Sequence, residues 1–90
     1  MKFKNKNSGE IIEAHVWNPQ QPATQRPQWF NDLIRAGEII HETNDSISLP
    51  FPAMSSVMPN QYLVKLNNGD LHAVMRRAIE NTTVWEPLQE

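Results

Sequence analysis

Residues 61–75 read QYLVKLNNGDLHAVM, and how this stretch is interpreted decides the fold. Two short apolar runs, residues 61–66 and 71–75, flank Asn67-Asn68-Gly69-Asp70. An Asn-Gly pair between such runs is the strongest local signal for a hairpin, because a two-residue type I′ turn needs positive φ at both central positions. A β-hairpin closed by a type I′ turn is therefore expected, and sheet becomes the organising element. Towards the C-terminus, residues 76–80 suit a single helical turn. Residues 82–86 (TTVWE) are β-branched and aromatic, as in a closing strand.

Working towards the N-terminus, FPAMSSVMP (residues 51–59) is apolar but bracketed by Pro50, Pro52 and Pro59. Its prolines forbid a central strand, so an irregular loop is expected, with Phe51, Met54, Val57 and Met58 either plugging the sheet or making an adaptable contact surface. Residues 38–43 and 46–49 read as two strands around an Asn44-Asp45 turn. Residues 27–36 read as the principal helix. Pro27 suits the first turn, Trp29, Phe30, Leu33 and Ile34 make one apolar stripe, and Gly37 is a left-handed stop. Residues 18–26 (NPQQPATQR) hold no large apolar side chain and read as a loop of the kind that carries binding.

Residues 10–17 alternate, with Ile12, Ala14 and Val16 on the expected core face and Ile11, Glu13, His15 and Trp17 on the other. Residues 1–7 alternate Lys2, Lys4 and Lys6 with Phe3, Asn5 and Asn7, a strand with one basic solvated face that Ser8-Gly9 interrupts. The sum is one domain, residues 1–90, of the α+β class: a small, mainly antiparallel sheet of about six short strands packed on one principal helix.

Composition narrows the function. The 90 residues are 39% hydrophobic and 20% charged with a net charge of −2, which does not suit an electrostatically driven nucleic-acid binder. A chain without cysteine has no disulfide, thiolate nucleophile or thiolate-held metal. No apolar run spans a membrane and no signal-peptide pattern opens the chain, so a soluble cytoplasmic protein is expected.

His15, His41 and His72 stand in no metal-binding spacing and read as ordinary strand histidines. Ser8, Ser46, Ser48, Ser55 and Ser56 occupy no nucleophile elbow, and Gly9, Gly37 and Gly69 are too far apart to form a phosphate loop. No catalytic residue, metal ligand or cofactor is expected. Two features remain as candidate ligand- or partner-binding groups. The first is the adjacent pair Arg76 and Arg77 with Lys65 on the neighbouring strand, which can fork around an anion or simply pair with Asp70 or Glu80. The second is Trp17 and Trp85, either of which marks a stacking or docking surface if exposed, whereas Trp29 belongs to the helix stripe and the core.

The order of short blocks is similar to a family of small bacteriophage and prophage proteins labelled by a PGDYG motif. The blocks are Lys2-Phe3-Lys4, Ile12-Glu13-Ala14 through Trp17, Pro27-Gln28-Trp29-Phe30, Pro59-Asn60-Gln61-Tyr62, Gly69-Asp70, Ala78-Ile79-Glu80 and Val84-Trp85-Glu86-Pro87. Asn60-Gln61 stand where that family carries Gly-Asp. The resemblance implies an accessory protein acting in the cytoplasm of a bacterial host cell. By analogy of genomic class it binds and modulates a host protein, with inhibition in counter-defence as the expected effect. Short sheet edges make a homodimer the expected assembly. The alternative is a homo-oligomer that sequesters a small anionic ligand such as a signalling nucleotide, with Lys65, Arg76 and Arg77 on phosphate and Trp17 or Trp85 on the base.

Overall fold

The computed structural model describes residues 1–50, 53–81 and 83–88. In chain order the elements are β1 (Lys2–Asn5), β2 (Ile11–Val16), a 3-10 turn (Ala23–Gln25), α1 (Gln28–Arg35), β3 (Ile40–His41), β4 (Ile47–Ser48), β5 (Ser56–Val57), β6 (Tyr62–Lys65), β7 (Leu71–Val74), α2 (Arg76–Glu80) and β8 (Trp85–Leu88). They form a five-stranded sheet of order β7-β6-β2-β1-β8 and a three-stranded sheet of order β3-β4-β5. Every pairing in both is antiparallel. The fold is α+β, and no helix among the described residues is long and apolar enough to cross a membrane.

The sheet expected as one is two. Residues 38–43 and 46–49 contract to the two-residue rungs β3 and β4, and the proline-bracketed stretch contributes the third rung, β5. Pro50 and Pro59 flank β5 without occupying its ladder, and Leu49 N–H continues the pairing onto Ser55 O at 2.9 Å. The loop expectation is thus corrected over Ser56–Val57, since proline forbids pairing only where it stands. Val57 is buried, while Met54 and Met58 are exposed; Phe51 lies outside the described residues.

The β6–β7 connection is also corrected. Gly69 N–H donates to Leu66 O at 3.0 Å and Leu66 N–H to Asp70 O at 2.9 Å, which encloses the three residues Asn67, Asn68 and Gly69. Gly69 takes φ +90° while Asn67 and Asn68 are not among the positive-φ residues. This is a type I turn closed by a left-handed glycine, not a two-residue type I′ turn. The last strand runs Trp85–Leu88 instead of residues 82–86. Thr82 lies outside the described residues.

Helix α1 ends as its glycine suggests. Gly37 N–H reaches Ile34 O at 3.0 Å, Glu38 N–H reaches Leu33 O at 3.0 Å, and Gly37 takes φ +74°, the paired bonds of a Schellman stop.

Both faces of the five-stranded sheet carry core. On one, Phe3, Ile12, Ala14, Tyr62 and Val64 pack with Ile79 of α2. On the other, Trp17, Leu63 and Leu71 meet Phe30 of α1 together with Ile39, Ile47, Leu49 and Val57 around the small sheet. The face expected to be the outer one is therefore covered over its Trp17 half, because the helix stripe and the second sheet need that surface to bury their own apolar residues.

Candidate functional site

The structure disperses the cations expected to act together. Arg76 Nε lies 3.2 and 3.1 Å from the two carboxylate oxygens of Glu80 and its Nη2 lies 3.0 Å from Oε2. The Tyr62 hydroxyl donates to the same carboxylate at 2.8 Å. The hydrogen bond from Arg76 holds the Glu80 carboxyl below its usual range. Burial, seconded by the hydrogen bond to Glu80, pushes Tyr62 up to about 12. Arg76 is thus committed within the fold. Arg77 is exposed, its Nη2 3.9 Å from the sulfur of Met75. Lys65 sits at the far end of β6 from Tyr62 and, by alternation, on the Leu63 face, away from α2. A three-cation anion site at Lys65, Arg76 and Arg77 is not formed.

Trp17 is fully buried, and its indole Nε1–H donates to Asp45 O at 2.7 Å. A stacking surface at Trp17 is excluded in this arrangement: β2 aims the ring under α1 instead of over a sheet edge. Trp85 is half-buried against the α2-side core. Trp29 is half-buried and meets Phe30 edge-on at 6.1 Å. The histidines do not converge. His15 and His41 flank the Phe30 and Trp17 rings, edge-on at 4.9 and 5.1 Å respectively, while His72 lies on the opposite sheet face. Among the described residues no group of His, Cys, Asp or Glu gathers in a way that holds a metal ion.

What the fold does assemble lies around Arg26. Trp17, following β2, and Phe30, in the first turns of α1, stack with centroids 5.6 Å apart and planes 22° apart. The loop of residues 18–26 crosses above them and places the Arg26 guanidinium 4.9 Å from the Trp17 centroid and 5.7 Å from that of Phe30. Face-on approach of a guanidinium to aromatic rings is favourable through the ring quadrupole. The loop is tied to the helix by Asn31 Nδ2, which donates to Ala23 O at 2.8 Å, and is closed on itself by Gln21 N–H to Asn18 O at 3.1 Å.

Polar satisfaction fails in this neighbourhood. Among the described residues the buried side-chain polar atoms without a geometric hydrogen-bond partner are His15 Nε2, Gln21 Oε1, Arg26 Nε and Trp29 Nε1, and all four belong to the end of β2, the loop or the start of α1. Buried polar groups are normally paired, and since His15 and Gln21 lie close enough to act on each other, the unmet donors of this group are Arg26 Nε and Trp29 Nε1. Arg26 forms no ion pair with any carboxylate among the described residues. Its terminal nitrogens are not among the sealed atoms, so they stay open to approach from solvent. Burial, then the positive charges of the amino terminus and of Arg26, hold the His15 imidazole below its ordinary pKa, while a hydrogen-bonding contact with the Gln21 side chain acts in the opposite sense. His15 is therefore neutral at pH 7. A cleft of about 300 Å³ lined by Ala14, His15, Val16, Asn18, Gln21 and Tyr62, with Met1, reaches His15 and Gln21, while Arg26 lies outside its lining.

The chemistry on offer is a forked cation on an aromatic platform, a neutral imidazole and a primary amide, which together suit a carboxylate or phosphate oxygen. Neither Arg26 nor Gln21 stands out in the sequence. The loop did, but the signal for Arg26 was subtle: a lone arginine before a helix with aromatic residues three and four positions on.

Compared with known proteins, the chain matches no family model, no curated protein and no solved structure. The likeness to the phage family rests on the sequence blocks alone.

Proposed function

We propose that this protein works by binding, not by chemical conversion, and that it captures a small anionic group, a carboxylate or phosphate, at Arg26. The observation that carries this reading is the Arg26 guanidinium stacked on Trp17 and Phe30 without a carboxylate partner among the described residues, its Nε unmet, beside the polar side chains of His15 and Gln21. The anion-sequestering alternative is retained, with its site moved from Lys65, Arg76 and Arg77 to Arg26. Because Trp17 is enclosed, recognition runs through the anion and not through stacking of a base on that ring.

Thermal unfolding with inorganic phosphate, acetate and a nucleoside monophosphate tests it. A ligand present at 100 times its Kd stabilises by about 2.7 kcal/mol. At least one anion should raise the Tm of the wild-type chain, with Arg26→Gln abolishing that rise and Arg26→Lys, which keeps charge but loses the fork, weakening it. No anion-dependent rise at large excess, or an equal rise in Arg26→Gln, refutes the reading.

A second reading keeps docking on a bacterial host protein and self-association, and one observation supports it. Lys6 N–H donates to Val84 O at 2.7 Å, so by ladder alternation Glu86 and Leu88 face β1 while Trp85 and Pro87 face outwards. Pro87 has no N–H to offer there and blunts the β8 edge. At the other edge Asp70 O faces β6, so the peptide groups of Leu71 and Ala73 face away from it without a ladder partner, on a strand that β5 also packs against. Ala73→Pro should abolish any dimer or captured partner, and an undiminished complex sinks this reading.

A further inference from the structure

On the opposite sheet face, α2 is a single five-residue helix, and it roofs more sheet than it can fill. Ile79 reaches the sheet and is buried, but its neighbour Ala78 has only a methyl group to offer. The result is a cavity of about 170 Å³ under the helix, walled by Ile12, Val64, Ile79 and Trp85. A dry cavity of about 150 Å³ holds one benzene ring. The space therefore fits one aromatic ring or a branched aliphatic group of that size, against the Trp85 indole.

The lining includes two titratable side chains, Glu10 and His72, and no lysine or arginine. Neither Glu10 nor His72 has an ion-pair or side-chain hydrogen-bond partner among the described residues; Glu10 is engaged through its backbone, its N–H donating to Ser8 Oγ at 3.2 Å and its carbonyl accepting from Asn5 N–H at 2.8 Å. Both project to this face by register. Glu10 is two residues before Ile12, immediately ahead of β2, and His72 is the β7 partner of Val64. A mostly apolar pocket with a few convergent polar groups is the usual form of a small-ligand site. Here the one carboxylate in the lining has no side-chain partner among the described residues, which selects a cation.

We infer that the cavity under α2 is a second binding site, for a small apolar amine. A single ring or branched aliphatic body enters against Trp85, and its ammonium group is held by Glu10. The site shares no lining residue with Arg26 and stands or falls independently of the anion reading.

The test is an amide and indole chemical-shift titration of the full chain with phenethylamine, beside 3-phenylpropionate and ethylbenzene as probes of the same ring with opposite or no charge. Phenethylamine should shift Ile12, Val64, Ala78, Ile79 and the Trp85 indole, and bind at least tenfold more tightly than 3-phenylpropionate. Glu10→Gln, a half-exposed change outside the core, should erase that preference while ring binding survives. Ala78→Leu should fill the cavity and block the probes. No shift with the amine at millimolar concentration, shifts mapping elsewhere, or equal affinity for amine and carboxylate overturns the inference.

Discussion

Arg76 and Arg26 are the same side chain in opposite circumstances. Arg76 spends its donors on Glu80, one helical turn away, and Glu80 in turn accepts from Tyr62, so charge and hydrogen bonds close within the fold. Arg26 lies over two aromatic rings and closes nothing. The conspicuous arginines, adjacent in sequence and near a lysine, are the ones the fold leaves with an internal partner or alone in solvent. The inconspicuous one is held in place by contacts that leave its polar capacity unused. Clustering in sequence is thus a poor guide to binding when the partners of each charge come from elsewhere in the chain.

The strongest way to break this contrast is to remove the platform. Phe30 is fully buried, stacked on Trp17, edge-on to His15 and Trp29, and under Arg26. Phe30→Ala should cost about 3–5 kcal/mol in urea unfolding and release the Arg26 loop with it. Phe30→Leu should cost less and weaken anion binding more than stability. If Phe30→Ala unfolds at the wild-type midpoint, the aromatic platform does not support Arg26.

A smaller effect probes the closed set. Tyr62 is buried and its hydroxyl donates only to Glu80. Tyr62→Phe removes one hydrogen bond while Arg76 keeps Glu80 paired, so about 1 kcal/mol should be lost. Because the phenol is held up to about 12, wild-type Tyr62 should show no phenolate absorbance below pH 11. Titration near pH 10 contradicts the burial of Tyr62 together with its bond to Glu80.

The elements that sequence made legible are those whose signals are local. The Trp29-Phe30-Leu33-Ile34 stripe and Gly37 define α1 within ten residues, and Arg76 with Glu80 is an i,i+4 pair that a helical turn alone brings together. The hairpin was legible but its turn was off by one residue, since Asn67, Asn68 and Gly69 allow either loop and the Leu66–Asp70 closure selects the three-residue form. What stayed hidden depends on contacts across the fold. Trp17 looked like an edge residue because nothing near it in sequence announces Phe30, thirteen positions away. Arg26 acquires its platform only after β2 and α1 meet. The second sheet is likewise tertiary, as rungs of two residues carry no period to read.

Acid provides a finer test of the open site. The folded state holds the His15 pKa below the unfolded value of 6.5, so between pH 7 and the folded pKa the unfolded chain binds more protons. The stabilisation from neutral His15 is fully present above pH 6.5 and is lost progressively as pH falls through 6.5 towards the folded pKa. His15→Gln should flatten that part of the stability curve between pH 7 and 5. A bound anion should oppose the charge of Arg26 and raise the folded His15 pKa, so phosphate should move the His15 titration to higher pH and shrink the acid-side loss of stability in the wild type, and do neither in Arg26→Gln. A His15 titration at or above 6.5 without ligand contradicts the burial that defines the site.

The smallest expected effect separates the two neighbouring arginines. Arg77 is exposed and touches only the Met75 sulfur, so Arg77→Glu should leave the Tm unchanged within error. Arg76→Glu instead sets a second carboxylate beside Glu80 and takes away the guanidinium that stabilises its charge, so it should lower the Tm measurably and shift Glu80 towards protonation. Neither change should alter anion binding at Arg26, because α2 packs on the sheet face opposite to the Trp17–Phe30 stack. Loss of anion binding in Arg77→Glu with Tm intact would restore the exposed arginine as the binding group and remove Arg26 from that role.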